Sequence, residues 1–492
     1  MTVVAICASL IAKCKTTWFS SKYADRIAYL PGQPPVSFQQ YGGYIGVDDR
    51  DSRALFYYFV EAETDPSSKP LVLWFIGGPG CSSLGAGAFM EHGPFKPSSE
   101  SPYYPSLYRN PFSWNTVANM LYVESPAGVG FSYSTDKSFY TSVNDSMTAR
   151  DNLVFLTRWL HKFPEYWGRP LFLTGESYAG HYVPQLAQLI LNCPSWDTKF
   201  NLKGIALGNP LLEFNTDFNS VSSFLWAHGV ISDSSLSLLS SVCNYSRYQR
   251  ESQILRRVST SCAKVMAQVT AEIGPFIDVY GIHLDRCKSR RDPQLGALHH
   301  PIPLPRRPAM TAFPLPQSNN YQPRPEAVDV CILNKTIMYL TRKDVQTALH
   351  ARLVGINNWN ICSSVMHYDL KNLEIPTIGA VGSLIKSGIR VLIFSGDEDS
   401  AIPLLGTRML VEKLANELKL ETTVLYRNWF ANNQVAGWTQ VYANILSFAT
   451  VREASHEPPH SQPERSLLLF KTFLEGKPLP DEEAIDDDNI HT

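Results

Sequence analysis

A chain of 492 residues is long enough for one large domain with insertions or for two domains. With 44% hydrophobic and 18% charged residues it can bury a sizeable core, which excludes a disordered chain. A formal net charge of −2 gives no electrostatic basis for binding nucleic acid or an anionic membrane surface, and no apolar run reaches the roughly 18 residues of a membrane span.

Residues 1–23 hold a short apolar stretch, VVAICASLIA, before Lys13. It reads as the remnant of a secretory leader, although the positively charged segment that normally precedes one is missing. Strand-like runs follow at 36–47, 53–62, 70–77 and 119–124. The third, PLVLWFIG, is nearly all apolar, as a strand buried on both faces should be. Helical spacing of Ala149, Leu153, Leu156, Leu160 and Phe163 predicts a helix over about 144–163, stopped by Pro164. RPLFLTG (169–175) reads as a strand, Tyr178–Leu191 as a helix kinked at Pro184, and KGIALGNP (203–210) as a further strand.

This alternation predicts a mostly parallel α/β sheet in a first core segment, 24–210. It pauses over 211–345, which reads as a helical cap containing a loop rich in proline and arginine, 288–325. That loop cannot bury enough apolar surface to offset its ordering entropy, so it is expected to be exposed or removed by processing. A second core segment, 346–479, resumes the strands with RVLIF (390–394), TVLYR (423–427) and ILSFATV (445–451). The final helix is expected to start at Ser461, with Glu464 completing a capping box, and to end at Gly476. The tail 480–492 is acidic and is expected to be disordered.

The chain has nine cysteines. Cys7 and Cys14 would leave with a leader, and the remaining Cys81, Cys193, Cys243, Cys262, Cys287, Cys331 and Cys362 fit three bridges and one free thiol in an oxidising compartment. N-x-S/T sequons at Asn144, Asn244 and Asn334 mark candidate glycosylation sites and point the same way. The expected location is therefore the secretory route, either secreted or vacuolar.

Gly175-Glu176-Ser177-Tyr178-Ala179 nearly fits the nucleophile elbow G-x-S-x-G. A strand reverses sharply into a helix there and lifts the serine Oγ into the open, while the Tyr178 N–H points to where an oxyanion would form. The competing reading is an ordinary tight turn. Serine needs a base, and in this chain order an acid and then a histidine should follow. Asp397 and Asp399 both follow the strand RVLIF, and His456 lies in a loop after a later strand. Spacing leaves both aspartates open for the acid role. Gly77-Gly78-Pro79-Gly80 follows the buried strand and would let a second backbone N–H approach a ligand closely. The string His456-Glu457-Pro458-Pro459-His460 matches a zinc-protease motif literally, but two consecutive prolines there lack N–H groups and clash with the preceding turn. His460 is then expected on the surface or at a rim, and neither a metal nor a cofactor is expected.

The strings GGPGCSSLGAGAF, ESPAGVGFSYS, TGESYAGHYVPQLA, KGIALGNPLLEFN, SGDEDSAIP and QVAGWTQVY resemble those of the serine carboxypeptidases, most closely the plant type whose chain is cut within the cap. The likeness runs from about Ala24 to Leu479 with a break over the proline-rich loop. It implies an α/β-hydrolase fold with an inserted helical cap, and peptide or protein C-termini as substrates. It assigns the acid to Asp399, the oxyanion donors to Gly78 and Tyr178, and bridges Cys81–Cys362, Cys243–Cys262 and Cys287–Cys331, with Cys193 free. It further implies that Gly77, Glu91 and Glu176 bind the substrate carboxylate, the two glutamates sharing a proton so that binding is best at acid pH. A homodimer is one option for the assembly.

Two positions depart from the family pattern. The family places asparagine before the double glycine, and this chain has Ile76, which cannot donate to a carboxylate. A hydrogen bond to a charged group contributes roughly 1.5–3 kcal/mol, so a loss of about 10- to 100-fold in peptide affinity is expected. Glu453 stands where glycine is usual, and is expected either to raise the imidazole pKa of His456 or to strain the loop. The alternative functions are an acyltransferase using sugar-ester donors and a catalytically impaired glycoprotein.

Overall fold

The computed structural model describes residues 21–48, 52–98, 106–192, 200–287 and 328–482. Cys7, Cys14, Cys193, the proline-rich loop and nearly all of the acidic tail lie outside the described residues.

Strands β1 (Arg26–Ile27), β2 (Gln40–Gly46) and β3 (Arg53–Val60) open the sheet as antiparallel neighbours. β4 (Leu71–Phe75) is buried at every residue. β5 (Phe95–Pro97) and β6 (Leu107–Arg109) form a separate ribbon. β7 (Asn119–Val123), β8 (Tyr133–Ser134), β9 (Pro170–Glu176), β10 (Asn201–Gly208) and β11 (Arg390–Gly396) follow. The last are β12 (Thr422–Ala431), β13 (Gln434–Tyr442) and β14 (Leu446–Val451). The spatial order is β1-β2-β3-β7-β4-β9-β10-β11-β14-β13-β12, with β8 paired to β3. The centre, from β7 through β4, β9, β10 and β11 to β14, is parallel, and both flanks are antiparallel.

Side chains alternate across this sheet as a strand requires. Leu71, Leu73 and Phe75 enter one apolar cluster, and Val72 and Trp74 the other. The first cluster is closed by helices α1 (Asp145–Lys162) and α2 (Ala179–Asn192), the latter continuing through Pro184. Among the described residues seven α-helices lie between β10 and β11: α3 (Phe214–Ala227), α4 (Asp233–Ser241), α5 (Tyr245–Gln249), α6 (Thr260–Ile273), α7 (Ile332–Leu340), α8 (Lys343–Ala348) and α9 (Ile378–Lys386). They leave the sheet intact, because β10 and β11 pair directly, Gly208 against Phe394. α10 (Leu404–Glu417), α11 (Pro458–Ser461) and α12 (Pro463–Glu475) complete the described α-helices. A doubly covered, mostly parallel sheet with helices inserted after one central strand is the α/β-hydrolase arrangement.

The capping box expected at Ser461 is not formed. Pro463 takes the first position of α12, Gln462 precedes it, and Ser461 closes the short α11 instead. The Ser461 Oγ accepts the Ser455 N–H at 2.8 Å, and Glu464 accepts from Asn432. Gly476 does end α12, at φ 69. Disulfides join Cys81 to Cys362, Cys243 to Cys262 and Cys287 to Cys331. Among the described residues no helix is long and apolar enough to cross a membrane.

Candidate active site

The site lies where the central parallel strands end. β9 stops at Glu176 and α2 starts at Ala179, so the chain must reverse within two residues. Ser177 does this at φ 61, in the left-handed region that non-glycine residues rarely occupy. Its N–H donates to Gly208 O at 2.9 Å, and its carbonyl accepts from Gly180 and Leu211, each at 3.0 Å. Glu176 and Tyr178 on either side are buried, whereas Ser177 is partly exposed.

The double glycine after β4 packs directly on this turn. A Cβ on Gly77 would lie 2.2 Å from the Tyr178 nitrogen and 2.9 Å from Ser177 Cβ, so only glycine fits. Gly78 adopts φ 112, again a glycine conformation. Among the described residues neither the Gly78 nor the Tyr178 N–H is given to a backbone carbonyl. The Cys81–Cys362 bridge ties the same loop to the segment after α8.

Of the two aspartates after β11, Asp399 faces the histidine. Its Oδ2 lies 2.7 Å from His456 Nδ1, and both residues are buried. Asp397 serves the loop instead, accepting the Ala454 N–H at 3.2 Å. Asp399 Oδ2 also accepts from Asn209 Nδ2 at 2.8 Å, and its two oxygens take the N–H groups of Ala401 (2.7 Å) and Ile402 (3.2 Å). Asn209, at φ 39, accepts the Gly396 N–H in turn at 3.0 Å. It follows Gly208, whose carbonyl holds Ser177, so one dipeptide links the serine turn to the acid. The strand GNP contained it, but nothing in its spacing marked it.

His456 is covered by the chain that follows α6. Its N–H donates to Tyr280 O at 2.5 Å, and the two rings lie 5.1 Å apart. Burial opposes a charged ring, but the Asp399 carboxylate, aided by Glu457 and Glu91, raises His456 to about 9. Because Nδ1 is committed to Asp399 and α11 begins only at Pro458, His456 and His460 do not share a helix face. His460 is partly buried.

Glu91 and Glu176 are both buried beside this site. Burial and the Glu457 charge raise Glu91 to about 8, and burial with the Glu91 and Glu457 charges pushes Glu176 well above the ordinary range. A side-chain hydrogen bond joins the two carboxyls, opposing the rise of Glu91 and adding to that of Glu176. Glu457 joins them: burial and the Asp278 charge raise it to about 7 against the pull of His456. Sequence reasoning passed over Glu457, although it is adjacent to His456.

Ile76 is buried in the apolar cluster with an apolar side chain, and its N–H donates to Ser83 Oγ at 3.0 Å. Glu453 adopts φ 59, so the expected loop strain is present. Its carboxylate, however, pairs with Arg452 at 3.1 Å and Arg465 at 3.9 Å at the surface, and it is not among the charges that raise His456. Asn144 and Asn244 cap α1 and α5, and Asn334 lies within α7.

The serine carboxypeptidase family profile matches residues 31–476. "Serine carboxypeptidase-like 45" of Arabidopsis thaliana is 57% identical over 462 residues, covering 94% of each chain. "Serine carboxypeptidase-like 46" of the same plant is 55% identical over 459 residues, covering 93% of each. Among solved structures, the prohormone-processing carboxypeptidase Kex1(delta)p of Saccharomyces cerevisiae superposes with a TM-score of 0.69 at 21% identity, over 92% of this chain and 95% of the yeast one, a likeness of fold. With the profile spanning most of its length and close plant relatives aligned almost end to end, the chain belongs to the serine carboxypeptidase family.

Proposed function

We propose that this chain is a serine-type exopeptidase that removes C-terminal residues from peptides through an acyl-enzyme on Ser177, with binding favoured at acid pH. The carrying observation is the strained, partly exposed Ser177 tied through the Gly208-Asn209 dipeptide to the Asp399–His456 pair. In this reading His456 takes the serine proton through Nε2 while Asp399 fixes its tautomer through Nδ1–H. Ser177 Oγ attacks the last peptide carbonyl, and the developing oxyanion is met by the N–H groups of Gly78 and Tyr178. The imidazolium gives its proton to the amine of the departing C-terminal residue, and the neutral imidazole then takes a proton from water, which attacks and releases the acyl group while Ser177 Oγ regains its proton.

The substrate carboxylate would lie against the Gly77 N–H and the Glu91–Glu176 pair. A protonated carboxyl donates a hydrogen bond to it, and an ionised one repels it. Discharging the cluster at acid pH also withdraws the Glu91 and Glu457 charges that hold the His456 ring protonated. The core segments 24–210 and 346–479, the cap 211–345 and glycosylation at Asn144, Asn244 and Asn334 belong to the same reading. The three disulfides support an oxidising, secretory location.

Labelling with a fluorophosphonate across pH, followed by peptide mapping, tests the nucleophile: no adduct on Ser177 ends the proposal. One observation favours a second reading. Ile76 is apolar and buried where a carboxylate donor is expected, which suits an acyl donor without a carboxylate. Incubation with a glucose ester and an acceptor alcohol, read by product mass, separates acyl transfer from hydrolysis of a blocked dipeptide.

A further inference from the structure

Behind the serine turn lies a second buried histidine–aspartate pair that the reaction outlined above does not use. Asp145 opens α1 and is buried. Its Oδ1 accepts the phenol O–H groups of Tyr178 at 2.9 Å and Tyr368 at 2.6 Å. Its Oδ2 accepts His181 Nδ1–H at 2.9 Å and Gln185 Nε2–H at 2.8 Å. All four donors point at one carboxylate, and three of them sit on or next to the start of α2. Burial opposes the Asp145 charge, but the His181 hydrogen bond, with those of Tyr368 and Gln185, holds its carboxyl below the ordinary range.

The connection to chemistry runs through Tyr178. Its main-chain N–H belongs to the peptide that follows the strained Ser177, and its side chain is fixed twice over. The phenol is anchored on Asp145, and the ring stacks on that of His181 with centroids 4.6 Å apart and planes 13° from parallel. A tyrosine pinned at its far end cannot rotate about its own backbone without moving the phenol, so the anchor restricts the direction of the N–H. A Cβ on Gly77, in the loop holding the other donor, would lie 2.2 Å from the same nitrogen, so the two loops are closely packed there. A small rotation of this peptide would therefore disturb both halves of the anion site together.

We infer that Asp145 is a positioning residue: through the Tyr178 phenol and the His181 ring it fixes the orientation of the Tyr178 N–H that receives the oxyanion. The inference rests on the hydrolase reading, and its competitor is a plain staple joining α1, α2 and the segment bearing Tyr368. A staple affects stability alone, whereas a positioning role affects transition-state binding at constant ground-state binding.

Tyr178→Phe removes the anchor and keeps the main-chain donor; Asp145→Asn removes the hub. The probes are a blocked dipeptide for kcat and KM, a peptidyl boronic acid that forms a tetrahedral adduct with the serine hydroxyl, and the free product as a ground-state ligand. Misplacing one donor should lower kcat about 10-fold in Tyr178→Phe and about 100-fold in Asp145→Asn, with KM and product affinity held within about twofold. Boronate affinity should fall by the same factors as kcat. Ile190→Val, a core change on the same helix, should lower Tm and leave kcat alone. If Asp145→Asn does not fold, Tyr178→Phe decides. The proposal is overturned if kcat and boronate affinity in the folded variants stay within about twofold of wild type, whatever happens to Tm. Failure of the hydrolase reading shows separately, as a wild-type protein that neither turns over the dipeptide nor takes up the boronate.

Discussion

Asn209 and His456 meet on one oxygen of Asp399, the amide at 2.8 Å and the imidazole at 2.7 Å. Asn209 also sits at φ 39, where asparagine is among the few side chains tolerated. Replacing it with leucine removes a buried donor to a carboxylate and adds backbone strain. Stability should fall by about 2–4 kcal/mol. With the acid free to turn, kcat should fall roughly 10-fold or more while KM holds. Thermal melts and steady-state kinetics on a blocked dipeptide check both. An unchanged kcat would mean that the backbone N–H groups of Ala401 and Ile402 orient Asp399 unaided.

Ile76 bears on specificity. Asparagine there would supply a donor to a substrate carboxylate, so Ile76→Asn should raise kcat/KM on blocked dipeptides by about 10- to 100-fold. The gain should be absent on the corresponding peptide amides, which carry no terminal charge. A buried amide without a partner in the free enzyme should cost about 1–3 kcal/mol of stability. Equal improvement on acid and amide substrates would argue against a carboxylate site beside residue 76.

The path from sequence to site was uneven for physical reasons. β4 was legible because a strand covered on both faces is apolar throughout, and the serine turn because its reversal requires small neighbours. β13 was not, since its burial does not alternate, with Ala436 and Gly437 buried side by side, and its pairing with β12 includes register shifts. Asp397 and Asp399 were inseparable by spacing, because only the tertiary fold shows that one carboxyl bonds the Ala454 N–H and the other the His456 ring. Asn209 and Glu457 escaped for the same reason. Their importance comes from what lies across from them, not from what lies beside them in the chain. At Ser461 a local rule was overruled by Pro463, which set the helix start two residues later.

The loop before His456 separates strain from electrostatics. Glu453 occupies the left-handed region at φ 59, while its carboxylate is turned to Arg452 and Arg465. Glu453→Gly should therefore leave the pH dependence of kcat/KM unchanged. Glu453→Val should cost about 1–2 kcal/mol, since a β-branched residue resists that conformation. A shift in the pH profile of the glycine variant would show that the carboxylate reaches the imidazole after all.

The acid cluster makes stability itself depend on pH. Glu91 ionises near 4.5 when exposed and at about 8 in the fold, so between these values the folded state holds a proton that the unfolded state has lost. Stability should be full below about 4.5 and should fall as pH rises to about 8. Glu176 and Glu457 are raised in the same direction. His456, lifted from 6.5 to about 9, also keeps its proton longer in the fold, and so adds to the decline rather than opposing it. Glu91→Gln removes one titration and relieves the repulsion on Glu176 and Glu457. The variant should lose on the order of 1–3 kcal/mol of the decline between pH 5 and pH 8. The same substitution should flatten the rise in KM for a blocked dipeptide over that range, because a neutral amide at position 91 cannot repel the substrate carboxylate. Denaturant melts at a series of pH values read the first effect and steady-state kinetics the second. A wild-type stability that climbs over this interval, or a variant with an undiminished slope, would mean that Glu91 is ionised throughout.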